Sequence, residues 1–290
     1  MSLTDDKRKI TETYFSLINI NNIELFGVIK NNLEATGQIL PLIEFIIERL
    51  VTVTTLTINE SLWDAEIVLR SAQETFIKFL FITSADKTEQ QKRLREFWYD
   101  LAEVNSIKQS EQAKKNLKHL GDNETHRLAY QPNVLTEEQE QLLRSKWTRA
   151  ERQKLEQKWS FSEIIASLSK NYKGSPAEMF VTLSHCYRMA SHVTHGDETG
   201  ILIIRERNSR SQEEQDKVNF AHYLRLLSDA HTYSLVVAIE TMNFLNLDKS
   251  TFIKNADGLK EVQELTEKYH AEVFEDKDYD KYRQREENQQ

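Results

Sequence analysis

Seven glycines and three prolines are spread over 290 residues, far below average usage for either residue. Tight turns draw heavily on both, so a chain this poor in them runs in long uninterrupted segments. In those segments the apolar residues recur at steps of three and four, the helical period, rather than two. The class expected is all-α, a multi-helix bundle. Residues 51–58 are rich in Val and Thr and look strand-like, but they lie between helical patterns and have no partner run. They are read as buried helix.

The net charge is −8 with no polybasic tail. That argues against coating duplex DNA through bulk electrostatics and leaves room for a local basic groove. The single cysteine, Cys186, excludes an intramolecular disulfide and a Cys-rich zinc site. No apolar run reaches the roughly 18–20 residues of a membrane span. The first residues lack the apolar core of a signal peptide. A cytoplasmic protein without membrane contact or cofactor is expected.

Residues 4–31 read as a first helix, with a break expected around Asn19, Asn21 and Asn22. Residues 33–58 follow, with Gly37 and Pro41 near their start. Residues 59–84 are the most apolar and form a central helix with Asn59 as candidate N-cap. Residues 87–120 are amphipathic through Leu94, Phe97, Trp98, Leu101, Val104 and Ile107. Thr136 with Gln139 forms a capping box. The next stretch, 142–159, is the most basic helix-length patch and includes Arg149 and Arg152 beside Trp147 and Trp159. It suits an RNA backbone, or else a solvated helix whose tryptophans reach the core. The final core helix runs through Tyr223, Leu226, Leu227, Ala230 and Tyr233. A single domain over 1–250, its core at about 40–245, is expected. Residues 251–290 carry a short helix near 258–270 and a charged, fraying tail. The bundle joins helices 59–84, 88–119, 176–195 and 215–245, with Leu69, Phe76, Leu80, Phe97, Leu101, Leu183, Tyr187, Leu226 and Tyr233 in the core.

The helix at 176–195 is the first place to look for chemistry. Ser175 as N-cap, Pro176 at N1 and Glu178 at N3 mark its start. Leu183, Tyr187, Ala190 and Thr194 share one face. His185, Arg188, His192 and His195 share the opposite face at steps of three, four and three. An ordinary solvated face is Lys, Glu and Gln, so three imidazoles and a guanidinium in one stripe are unusual. Gly196 and Gly200 close the helix, and Arg205, Arg207 and Arg210 follow in what reads as a basic loop. An arginine that holds a scissile phosphate and a histidine that moves protons near neutral pH can cleave RNA through its 2′-hydroxyl without a metal. On the central helix Glu66, Arg70 and Glu74 recur every fourth residue. They read either as an exposed ion-pair ladder or as a buried polar line facing another helix. Cys186 reads as core rather than as a nucleophile.

Arg188-Met-Ala-Ser-His-Val-Thr-His195 resembles the Arg-x4–6-His signature of the HEPN superfamily, whose active members are ribonucleases of toxin–antitoxin, abortive-infection and CRISPR systems. More broadly, Leu69-Arg-Ser-Ala-Gln-Glu-Thr75 together with Tyr187 to Gly196 is similar to a bacterial family known only as a domain of unknown function. The HEPN resemblance implies catalysis by Arg188 and His195, with His192 between them. It also implies RNA as substrate and a homodimer with the two motifs at its seam. Met189 departs from the polar residue that usually follows the arginine. That departure keeps a second reading in view, a non-catalytic helical module that binds a partner in a defence or regulatory complex. A third reading is a di-metal helical enzyme using Glu66, Glu74, His192 and His195. The paired Glu-x-x-His motifs of such bundles are absent, so no metal site is expected.

Overall fold

The computed structural model describes residues 3–119, 124–171 and 180–274. Every regular element among them is helical. Packing divides the chain into two compact units, one drawn from residues 1–83 and 173–290, the other from 84–172. The helix around 88–119 therefore belongs to a different unit from the other three helices of the expected bundle.

In the first unit α1 (Leu3–Lys30) is one unbroken helix. The break expected at its asparagines does not occur, and tertiary partners occupy the amide oxygens of Asn21 and Asn22. Ser234 donates to Asn22 at 2.8 Å, and Asn255 donates to Asn21 at 3.0 Å. A side chain held by another helix no longer competes with its own backbone. A short α2 (Leu33–Thr36) precedes α3 (Leu40–Ile58), with Pro41 in the first turn where its missing N–H costs nothing. Residues 51–58 are helical as expected, and Val53, Thr54 and Thr57 are buried.

Asn59 caps the end of α3 rather than the start of α4 (Leu62–Thr83). Glu60 takes a left-handed conformation, φ 61°. Its N–H bonds the Thr57 carbonyl at 2.9 Å, and the Ser61 N–H bonds Leu56 at 2.9 Å. This is a Schellman stop with glutamate where glycine is usual. Lys7 of α1 pairs with that glutamate at 2.5 Å.

α11 (Phe180–His195) and α12 (Glu198–Asn208) pack on each other, and α11 also packs on α4. The start expected for α11 at Ser175, Pro176 and Glu178 lies outside the described residues. The long α13 (Gln212–Leu245) opens with a Ser211/Glu214 capping box and closes at Asn246 with φ 57°. It packs against α1, α3 and α4 and so runs through the middle of this unit. Two helices follow where one was expected: α14 (Ser250–Asp257) and α15 (Lys260–Phe274). Both dock on α1 and α13, burying Phe252, Val262 and Tyr269, with the Tyr269 hydroxyl on Asp6 at 2.6 Å. The charged tail beyond 274 lies outside the described residues. Of the expected core, Leu69, Phe76, Leu80, Leu183, Leu226 and Tyr233 are buried. Tyr187 is only half-buried, for a reason given below.

The second unit holds α5 (Lys87–Arg95), a π turn (Glu96–Asp100), α6 (Leu101–His119), α7 (Glu124–Tyr130), α8 (Glu137–Lys146), α9 (Arg149–Lys158) and α10 (Phe161–Asn171). The Thr136/Gln139 capping box is present, and a second one, Thr148/Glu151, starts α9. The π turn carries Phe97, and both Phe97 and Leu101 are half-buried instead of core.

Candidate functional site

α11 ends in a Schellman stop built on Gly196, φ +57°. The Gly196 N–H bonds Val193 at 3.2 Å, and the Asp197 N–H bonds the His192 carbonyl at 3.3 Å. Asp197 then serves a second helix, because its carboxylate caps α12 by accepting from the Gly200 N–H at 3.1 Å. The other carboxylate oxygen meets His192 Nδ1 at 2.7 Å. His192 and Asp197 are thus joined twice, once through backbone and once through side chains. The hydrogen bond with His192, and after it the Gly200 N–H, hold the Asp197 carboxyl below its usual range. With Nδ1 engaged by a carboxylate, Nε2 is the ring nitrogen left to face outward. A histidine oriented this way by an acidic residue is the base–orienter pair of general acid–base sites.

Arg188 and His195 complete the stripe. Both are exposed. The Arg188 Nε donates to the Ser184 carbonyl one turn back at 3.3 Å, which lays the side chain along its own helix. His195 sits in the last turn of α11. Arg188, His192 and His195 follow each other at steps of four and three along one side of α11. His185, also exposed, borders a cavity on the inner side together with Cys186. Burial pushes the Cys186 thiol up, which suits a packing role.

Asp197 was absent from the residues singled out in the sequence. The signal was present: an Asp followed by Glu198 and, three residues on, Gly200 is an N-cap with an acidic first turn. Reading Gly200 as part of a helix stop concealed it. Gly200 lies inside α12 and is buried against α11.

The segment after His195 is therefore helix rather than a basic loop, and its arginines diverge. Arg205 is exposed, and Arg210 pairs with Glu206 at 2.8 Å. Arg207 turns inward, stacked 4.3 Å over the Trp63 ring, and its Nη1 lies 2.8 Å from His222 Nδ1.

The polar line on α4 resolves into two parts. Arg70 and Glu74 form the i,i+4 pair at 3.1 Å. They also meet Tyr187, whose hydroxyl donates to Glu74 at 2.6 Å and accepts from Arg70 at 2.9 Å. That link between α4 and α11 is why Tyr187 stays half-buried. Glu66 is the buried member, held by Arg225 and by His222 Nε2 at 3.0 Å. Burial alone would raise its carboxyl, but the His222 hydrogen bond and the Arg225 charge outweigh burial and hold it low. Burial lowers the His222 pKa, so its neutral form is favoured. The tautomer follows from the partners: Nδ1 accepts from Arg207 and Nε2 donates to Glu66. Arg225 also holds Asp229 at 2.8 Å.

Glu66 and Glu74 are thus committed to cations and hydroxyls, and His192 to Asp197. The four residues of the di-metal reading do not converge, and among the described residues no three His, Cys, Asp or Glu side chains form a metal group.

In the second unit the basic patch on α8 and α9 meets glutamates. Arg144 pairs with Glu111 and Glu140 at 2.7 Å each, Lys146 with Glu103 at 2.5 Å, and Lys158 with Glu96 at 2.6 Å. Trp147 and Trp159 donate to Glu103 and Glu96. Arg149 is exposed and Arg152 half-buried. Arg144, Lys146 and Lys158 are therefore neutralised within the unit. No helix among the described residues is long and apolar enough to cross a membrane. Compared with protein-family models, with curated proteins and with solved structures, the chain matches none.

Proposed function

We propose that this chain is a metal-independent ribonuclease of HEPN type, with its chemistry on the outer face of α11. The observation that carries the reading is the His192–Asp197 pair at 2.7 Å, set between Arg188 and His195 on one exposed helix side. Asp197 fixes the ring of His192 through Nδ1 and leaves Nε2 to face outward, so His192 is the proton-transfer group. Arg188 supplies charge to the scissile phosphate, and His195 the second proton-transfer position. Attack by the ribose 2′-hydroxyl needs a base, an acid and an anion-holding group, and these residues supply all three.

The homodimer belongs to the same proposal. Ile201 and Leu202, on the first turn of α12 just beyond the stripe, are more than half exposed. They supply apolar surface beside the ionisable stripe, as a two-fold seam requires. Arg205, exposed on the same helix, is the basic residue of that segment left to hold RNA. The toxin or phage-defence setting rests on the HEPN resemblance.

The test is cleavage of an RNA pool by the full chain in EDTA. Cleavage with cyclic phosphate ends is expected. His192→Ala, Arg188→Ala and His195→Ala should each lose roughly 10²–10⁴-fold. Asp197→Asn retains a good N-cap for α12 and should lower cleavage with little change in melting. A wild-type chain that cuts no RNA, or a fully active His192→Ala variant, overturns the reading and returns the non-catalytic binding module.

A further inference from the structure

On the inner side of α11 lies a cavity of about 490 Å³. That volume is within the usual range for a small-molecule site, and a space between packed helices is a usual place for one. Arg188, His192 and His195, proposed for RNA chemistry, are not among the cavity's lining residues. Most of the wall is apolar: Met189 and Val193 of α11, Ile203 of α12, and Val218 and Ala221 of α13. One end is polar and holds Glu66, His222, Arg225 and Arg207, with Trp63 beside them.

The charges at that end are unevenly partnered. Arg225 takes both nearby carboxylates, Glu66 and Asp229. Arg207 is left with neutral partners: His222 Nδ1 at 2.8 Å, Asn219 Oδ1 at 3.5 Å and the face of Trp63. Among the described residues no carboxylate lies within ion-pair distance of its guanidinium. Burial, reinforced by Arg210 and Arg225, lowers its pKa to about 10 against the opposing pull of the more distant Glu206 and Glu66. A half-buried arginine at the end of an apolar cavity is an unfinished ion pair, because burying a charge without a partner is costly. Both Arg207 hydrogen bonds leave from Nη1, so Nε and Nη2 remain to receive one carboxylate. A phosphate's second charge would face Glu66, whereas a carboxylate offers two oxygens to the planar guanidinium fork and brings no more charge than Arg207 can neutralise.

We infer that this cavity is a binding site for a small organic monoanion, with a carboxylate on Arg207 and an unbranched or aromatic apolar body along Met189, Val193, Ile203 and Val218. The inference stands independently of the ribonuclease reading, since it uses neither Arg188, His192 nor His195.

The test is calorimetric titration of the full chain with four ten-carbon probes at sub-micellar concentration: decanoate, decanol, decyl phosphate and decylammonium. Saturable one-site binding is expected for decanoate, at least tenfold tighter than for decanol or decyl phosphate, with none for decylammonium. Arg207→Met keeps an unbranched apolar stem and removes the charged guanidinium. It should weaken decanoate at least tenfold, to the level of decanol, and leave decanol within about twofold. Val218→Phe fills the apolar wall and should abolish both. Decanoate that fails to bind wild type, or binds no better than decanol or decylammonium, overturns the inference. So does unchanged decanoate affinity in Val218→Phe, a result that stands even if Arg207→Met does not fold.

Discussion

Gly200→Ala should disrupt the junction on which the candidate site depends. A Cβ built at Gly200 would lie 2.3 Å from the His192 carbonyl oxygen, 2.5 Å from its carbon and 2.8 Å from the Val193 nitrogen. All three are backbone atoms, so no side chain can swing aside. Ordinary contact begins near 3.4 Å, so the first turn of α12 must retreat from α11 by about 1 Å. Asp197 sits at the head of that turn and moves with it. A retreat of that size would carry its carboxylate from 2.7 Å to beyond hydrogen-bond reach of His192. Overpacking of this kind costs about 1–3 kcal/mol, and the upper half of that range is expected here because both sides are rigid. Gly196→Ala is the control. Its Cβ would meet nothing within 4 Å, and only the strain of φ +57° remains, about 1–2 kcal/mol. Denaturant unfolding measures both losses. A carboxyl titration by NMR reads the site itself. Asp197 is held below its usual range in wild type. It should move back up in Gly200→Ala and remain low in Gly196→Ala. An unchanged Asp197 titration in Gly200→Ala, or a stability loss smaller than that of Gly196→Ala, would refute this account.

Two further outcomes test the interior. His231 is 1% exposed, its Nε2 has no hydrogen-bond partner, and burial lowers its pKa to about 4 from an ordinary 6.5. The unfolded chain takes up that proton below pH 6.5 and the folded chain only near pH 4, so about 3 kcal/mol of stability, complete above pH 6.5, is lost as pH falls to 4. His231→Phe should keep the edge contact with Tyr14 and gain about that much relative to wild type between pH 7 and pH 4 in urea unfolding; parallel profiles would contradict it. Arg225→Met leaves the buried Glu66 carboxylate with His222 alone and Asp229 without its cation and should cost about 3–5 kcal/mol, while a Glu66→Met, Arg225→Met double variant should recover the part owed to Glu66. A double variant as unstable as the single one would show that the pair is not the cause.

Sequence by itself determined the helical class, several helix ends and the two-faced character of α11. Scarce glycine and proline, apolar residues at steps of three and four, Pro41 in a first turn and the Thr136/Gln139 box are local signals, and each acts within one helix through backbone geometry. The stripe of Arg188, His192 and His195 was legible for the same reason, because spacing alone sets which residues share a side. What each polar residue meets was decided by packing. Asn21 and Asn22 read as helix-weakening until α13 and α14 occupied their amides. Glu66, Arg70 and Glu74 have one spacing, yet Glu66 is buried in an ion network while Arg70 and Glu74 meet a tyrosine of α11. Arg205, Arg207 and Arg210 looked alike in sequence, but only Arg207 turned against Trp63 into the cavity. Periodicity gives the direction in which a side chain leaves its helix. The group waiting there comes from residues as distant as the 156 positions between Glu66 and His222, and only the closed fold brings them together.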